Sequence, residues 1–161
     1  MDHRLEAFAA RLQALEDREA IRALIAAYGP RADAGEAAAV AALWAADGVY
    51  EVTGFAPAQG HAAIAALITG PVHQGLMAAG CGHLLGPVDL ELAGDRATAR
   101  GHSVVFRHAA DGWVPVRVAA NRWTLARTGV GAHGGWQVTH RRNALLDGAE
   151  TARALLATTP G

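Results

Sequence analysis

Tyr28-Gly29-Pro30-Arg31-Ala32-Asp33 closes the strongest helical pattern in the chain, and it carries a phenol and a carboxyl group five residues apart. Upstream, Ile21, Leu24, Ile25 and Tyr28 recur at the three- and four-residue steps of one helix face. Gly29-Pro30 is expected to weaken or kink that helix, because proline lacks an amide donor and its ring crowds the preceding turn. Asp33 therefore falls at or near a helix end. Leu5, Phe8, Leu12 and Leu15 form an earlier stripe, out of phase with the later one. That break predicts two helices, with Asp17 as the N-cap of the second and Glu19 adding favourable charge to its first turn. Residues 1–16 then form an accessory helix whose stripe packs over the domain or against a second subunit, with the subunit preferred.

Downstream, a short helix over Glu36–Ala46 is expected to bury Val40, Leu43 and Trp44, before Asp47-Gly48 turns the chain into a strand over Val49–Thr53. Residues 54–60 read as a loop. Ala62–Leu67 reads as a helix with His61 at its start, interrupted at Gly70-Pro71 and resumed over Val72–Ala79. From Gly80 the period changes to two. Val88, Leu90 and Leu92 alternate with Asp89 and Glu91, and Gly94-Asp95 and Asp111-Gly112 supply hairpin turns. The strands they join are Ala97–His108 and Trp113–Arg127. Trp136–Leu146 is the last strand, and a helix follows from about Ala149 to Leu156. Helices first, then a strand, a helix and a four-stranded meander make an α+β fold, with helices packed on one face of a curved sheet and a cone left open at its mouth.

The 161 residues suit one domain, taken here as 1–161. Apolar residues are 52% of the chain and aromatics only 6%, alanine making up most of the difference, so helices can pack closely around a cavity. With 14 basic and 15 acidic side chains spread along the chain, no basic footprint for nucleic acid or anionic lipid exists. Cys81, the lone cysteine, excludes an internal disulfide. Met1-Asp2-His3-Arg4-Leu5-Glu6 is too charged for the apolar core of a signal peptide, so a soluble cytoplasmic protein is expected. Trp113, Val116 and Trp123, assigned to an exposed sheet face, lead us to expect a homodimer or higher homo-oligomer.

His83, in Cys81-Gly82-His83-Leu84-Leu85-Gly86-Pro87, is flanked by apolar residues at a strand start, a setting that by itself suits a hydrogen-bonded structural histidine. Strand alternation puts His102, Val104, Phe106 and His108 on one face, Arg117, Asn121 and Trp123 on another, and Trp136, Val138, His140 and Arg142 on a third. Arg117 or Arg142 can thus line a pocket and bind an anionic group, but surface ion pairing is the preferred expectation, above all for Arg141, which points opposite to Arg142. His102 and His108 lie roughly 20 Å apart by strand rise, too far to share an ion. No metal is expected from ligand spacing, and Cys81 lacks an assured geometry for proton transfer with His83. The glycines near Gly129 lack the lysine and following helix of a nucleotide loop. No cofactor is expected.

Leu15-Glu16-Asp17-Arg18-Glu19-Ala20-Ile21, Tyr28, Asp33 and the order of elements resemble the SnoaL-like branch of the nuclear-transport-factor-two-like superfamily, over Leu12–Leu146. The resemblance implies the cystatin-like roll of that superfamily. Against the scytalone dehydratase and bile-acid dehydratase patterns, Asp33 and His83 fall on an aspartate–histidine pair in which the carboxylate orients the imidazole and the free ring nitrogen removes a proton beside a carbonyl. Tyr28 falls on a tyrosine that hydrogen-bonds a carbonyl or leaving hydroxyl, and Tyr50 is a second candidate for that task. His108 falls on a histidine that protonates the leaving group, and Asn121 on an asparagine that polarises the carbonyl. Tyr50, Phe106, Trp44 and Arg142 are the expected substrate contacts. The activity implied is that of a cofactor-independent dehydratase acting on a small hydrophobic oxygenated molecule, polyketide-, steroid- or aromatic-like. Isomerisation or cyclisation in the manner of ketosteroid isomerase is the alternative, as is a non-catalytic small-molecule-binding module.

Overall fold

The computed structural model describes residues 3–158, so Met1 and Asp2 of the charged N-terminus lie outside it. Its N-terminal element is one 31-residue helix, α1 (His3–Asp33), not the two expected. No glycine or proline stands near Asp17 to break it. The phase change has another cause: the two halves face different surroundings. Leu5, Phe8, Leu12 and Leu15 are exposed, while Ile21, Leu24, Ile25 and Tyr28 are buried against the domain. Asp17 is accordingly no cap. Its Oδ1 accepts from Trp136 Nε1 and Gln13 Nε2, both at 3.1 Å, and its Oδ2 pairs with Arg127 at 2.5 Å. The helix runs through Pro30 and ends at Asp33 itself.

Next come α2 (Ala37–Ala41), β1 (Trp44–Val52) and a two-residue strand β2 (Ala58–Gln59). Val40, Leu43 and Trp44 are buried as expected, but Trp44 opens a strand instead of closing a helix. Two helices follow, α3 (Gly60–Thr69) and α4 (Pro71–Ala79), the second opening with proline where no amide donor is needed. The remaining strands are β3 (Cys81–Leu85), β4 (Asp89–Ala93), β5 (Arg96–Ala109), β6 (Gly112–Arg127) and β7 (Trp136–Leu145), followed by helix α5 (Glu150–Leu156). The sheet order is β2-β1-β7-β6-β5-β3, with β4 also paired to β5. Each pairing is antiparallel except β1 with β7. β3 and β4 thus share the long β5, one at each end, with Gly86-Pro87 between them.

α1 through α4 close over one face of this sheet around a core containing Trp44, Trp123 and Trp136. On the opposite face α5 packs on Ala120 through Ala152 and Leu155. Trp123, 1% exposed, belongs to the inner core and not to the outer surface. It differs in strand parity from the exposed Val118, while a bulge at Val116, between the pairs Phe106–Pro115 and Val105–Arg117, puts Val114 on the face opposite to Val118. No single helix among the described residues is long and apolar enough to cross a membrane.

The helical layer approaches the sheet most closely at Gly29. A Cβ there would lie 2.1 Å from the carbonyl oxygen of His83, so only glycine lets α1 touch β3. Gly29→Ala is expected to push the two apart, with a cost of about 1–3 kcal/mol. Urea unfolding should register that loss, and the His83 ring signals should move with it.

Candidate active site

Ending α1 at Asp33 and starting β3 at Cys81 brings a carboxylate from the helices onto an imidazole from the sheet. Asp33 Oδ1 lies 2.6 Å from His83 Nδ1, and Asp33 Oδ2 accepts the His83 backbone amide at 2.8 Å. Cys81 Sγ completes the set at 3.4 Å from Oδ1. The carboxylate is therefore gripped by three donors from one strand. With Nδ1–H donated to Asp33, the lone pair of the neutral ring sits on Nε2.

Burial lowers the His83 pKa below its ordinary 6.5, outweighing the raising effect of Asp33, and His73 and Arg141 lower it further. The ring is thus neutral, and competent as a base, at pH 7. Cys81 behaves oppositely: burial and the Asp33 charge push its thiol up to about 11, so it stays protonated. Asp33, Cys81 and His83 bring donor atoms within 4.8 Å of one another, a cluster that residue spacing did not foretell. As a metal site the donor set fits poorly, because the thiol is hard to ionise and the carboxylate already serves His83.

His83 faces a cavity of about 550 Å³. Tyr28 and Tyr50 form part of its wall, with rings 6.1 Å apart and edge to face. Tyr28 also meets the His83 ring at 6.4 Å. Burial drives the Tyr28 pKa up, so the phenol remains a hydrogen-bond donor. Ile68, Val72, Leu76, Leu85 and Val105 supply apolar lining. His73, on α4, is a lining residue that the sequence reading missed. Its Nε2 lies 2.7 Å from the Ala32 carbonyl, and its ring is 5.2 Å from that of His83. Since a carbonyl only accepts, Nε2 carries the proton.

Several expected site residues lie elsewhere. His108 is exposed and packs on Trp113, because Ser103, Val105 and Arg107 take the inward positions of β5. Phe106 shares the His108 face and is likewise absent from the wall. Trp44 lies in the core beyond the tyrosines, its Nε1 donating to the Val49 carbonyl at 3.2 Å. Asn121 is buried behind the wall and touches other protein groups only: its Nδ2 donates to Ser103 Oγ at 2.8 Å.

The last strand reverses the expectation for its arginines. Thr124 pairs with His140 but Leu125 with Val138, so Thr139 is an extra residue, a β-bulge. The bulge flips the alternation that Trp136 and Val138 begin. Arg142 consequently points outward beside Glu51, while Arg141 turns into the cavity wall at 1% exposure. Its guanidinium lies 4.1 to 4.6 Å from the ring centres of Trp123, Tyr28 and Tyr50. Asn121 Oδ1 accepts from its Nε at 3.0 Å and Nη2 at 2.8 Å, leaving Nη1 buried without a protein acceptor. Cation–π contacts give about 2 kcal/mol when desolvated, against a burial cost of several kcal/mol per ion, so the rings offset only part of it. Arg117 also lines the cavity, and Asn143 Oδ1 accepts from its Nε at 3.1 Å and Nη2 at 2.8 Å.

The α+β cone thus holds an oriented imidazole against a cavity. The chain belongs to the SnoaL-like domain family, whose model matches residues 13–142. It is similar to an NTF2-like protein with a cystatin-like fold from Novosphingobium aromaticivorans, at 56% identity and TM-score 0.91, over 96% of this chain and 97% of that one. ActVI-ORFA from Streptomyces coelicolor shares 20% identity over 82% of this chain and 98% of its own, at TM-score 0.68. Aln2 from another Streptomyces species shares 19% over 96% and 98%, at TM-score 0.63. These last two share the fold alone. No curated protein matches the chain.

The charges around His83 predict its titration. Its NMR midpoint should lie below 6.5, move lower in Asp33→Asn, and rise in His73→Phe. Because the unfolded chain binds this proton more readily, His83 should also make the fold less stable as pH falls through 6.5.

Proposed function

We propose that the protein is a cofactor-independent lyase that removes a proton beside a carbonyl and expels a β-hydroxyl group as water. His83 Nε2 takes the α-proton, Asp33 holds the ring and stabilises its charged form, and the phenols of Tyr28 and Tyr50 donate to the developing enolate oxygen. The enolate then collapses, the C–O bond breaks, and the proton on Nε2 leaves with the hydroxyl. His108 has no part in this scheme, since it stands outside the cavity. The observation that carries the reading is the 2.6 Å contact between Asp33 and His83 beside an apolar cavity.

Double-bond isomerisation is the second reading. It uses the same groups as the elimination, because one imidazole that returns its proton to another carbon suffices for it. Turnover of a panel of β-hydroxy ketones and β,γ-unsaturated ketones by the parent, His83→Ala and Asp33→Asn decides the matter. His83→Ala should lose about 10²–10⁴-fold in kcat/KM, and Asp33→Asn should fall in the same direction. Equal rates for all three would end the proposal, and the panel member consumed distinguishes elimination from isomerisation.

We further propose that the chain forms a homodimer, supported by the uncovered Trp113 and Val118 on β6. Light scattering should give twice the chain mass, and Trp113→Lys with Val118→Lys should return it to one.

A further inference from the structure

Among the described residues the cavity wall contains three arginines, Arg107, Arg117 and Arg141, and two histidines, but no aspartate or glutamate. Among the described residues no carboxylate lies within 4.0 Å of Arg117 or Arg141. Both are held by the same device: a side-chain amide oxygen accepts from Nε and Nη2, Asn121 for Arg141 and Asn143 for Arg117. Asn143 Nδ2 in turn donates to Asn121 Oδ1 at 2.9 Å, joining the two anchors. An aspartate at either anchor would fix the guanidinium equally well and cancel its charge. Asparagine fixes it and leaves the charge standing. Arg141 Nη1 remains buried with no acceptor among the described residues.

We propose that Arg141, flanked by Arg117, is an anion subsite, and that the substrate is a hydrophobic ring compound bearing a carboxylate. This rests on the reading of the cavity as the substrate site, and it adds the substrate's charge. A planar carboxylate suits a guanidinium whose free edge is fixed, and the apolar wall suits the remainder of such a molecule. Tyr28 touches both the His83 ring and the Arg141 guanidinium, so the carboxylate and the acidic C–H of one ligand are separated by about the width of that ring.

Calorimetric titration with 2-naphthoate and its neutral isostere 2-naphthamide at pH 7.5 tests the subsite without requiring turnover. The carboxylate should bind at least tenfold more tightly. Arg141→Gln and Asn121→Asp should each abolish the preference while the amide still binds, and Arg117→Gln should reduce it at least threefold. Arg117→Gln and Asn143→Asp keep the test open where a change at the buried Arg141 prevents folding. His83→Asn should retain the preference. Equal affinities, no heat from either probe, or a preference that survives Arg141→Gln and Asn121→Asp would overturn the subsite. A preference lost in His83→Asn would place the anion on the imidazole and overturn it too. Anion preference without ketone turnover would leave the subsite standing and remove only the reaction.

Discussion

The site depends on a contact between two layers: a helix that reaches the sheet closely enough for its last residue to accept hydrogen bonds from a strand. Gly29 makes the approach, since any Cβ would strike the His83 carbonyl. Asp33, one helical turn on, then accepts from the His83 amide and ring together. The backbone bond fixes the strand against the carboxylate, and the ring bond fixes the tautomer. Anchoring and orientation therefore come from the same group, so the imidazole has little freedom to turn its lone pair away.

What the chain reveals without coordinates follows how local each cause is. The end of α1, with Tyr28 and Asp33, is legible because a helix face and a Gly-Pro pair are written within one short stretch. The β5, β6 and β7 strands are legible from their alternation and hairpin turns. The 31-residue helix is not, because a shift in apolar phase reads as a break when it marks only a change in what the two halves face. Trp44 is buried in either a helix or a strand, so its burial cannot choose between them.

Arg141 shows where strict alternation fails. Counting inward positions from Trp136 and Val138 selects His140 and Arg142, and that count is right until Thr139 adds a residue to one strand only. No residue there carries a marker that a bulge requires, so the sign of every later position is hidden. On β5 and β6 the parity needed the packed partner: His108 and Phe106 take the outer face, and Asn121 lies one layer behind the wall. The polar positions suggested by family likeness stand in the right order along the chain, but only Asp33, His83, Tyr28 and Tyr50 come together, while His108 and Asn121 do not reach the wall.

The floor of the cavity runs against the usual composition of a core. Ser103, Asn121, Asn143 and Arg141 form one hydrogen-bonded group among buried strands, where apolar side chains of similar volume would stabilise the fold at least as well. The use of such a group lies in what it orients. It holds a cation beside Tyr28, and that cation adds a small share to the lowering of the His83 pKa that burial chiefly causes. A ligand anion seated on Arg141 would cancel this repulsion. An anion there would shift the His83 pKa upward, whereas burial keeps the imidazole neutral in either case.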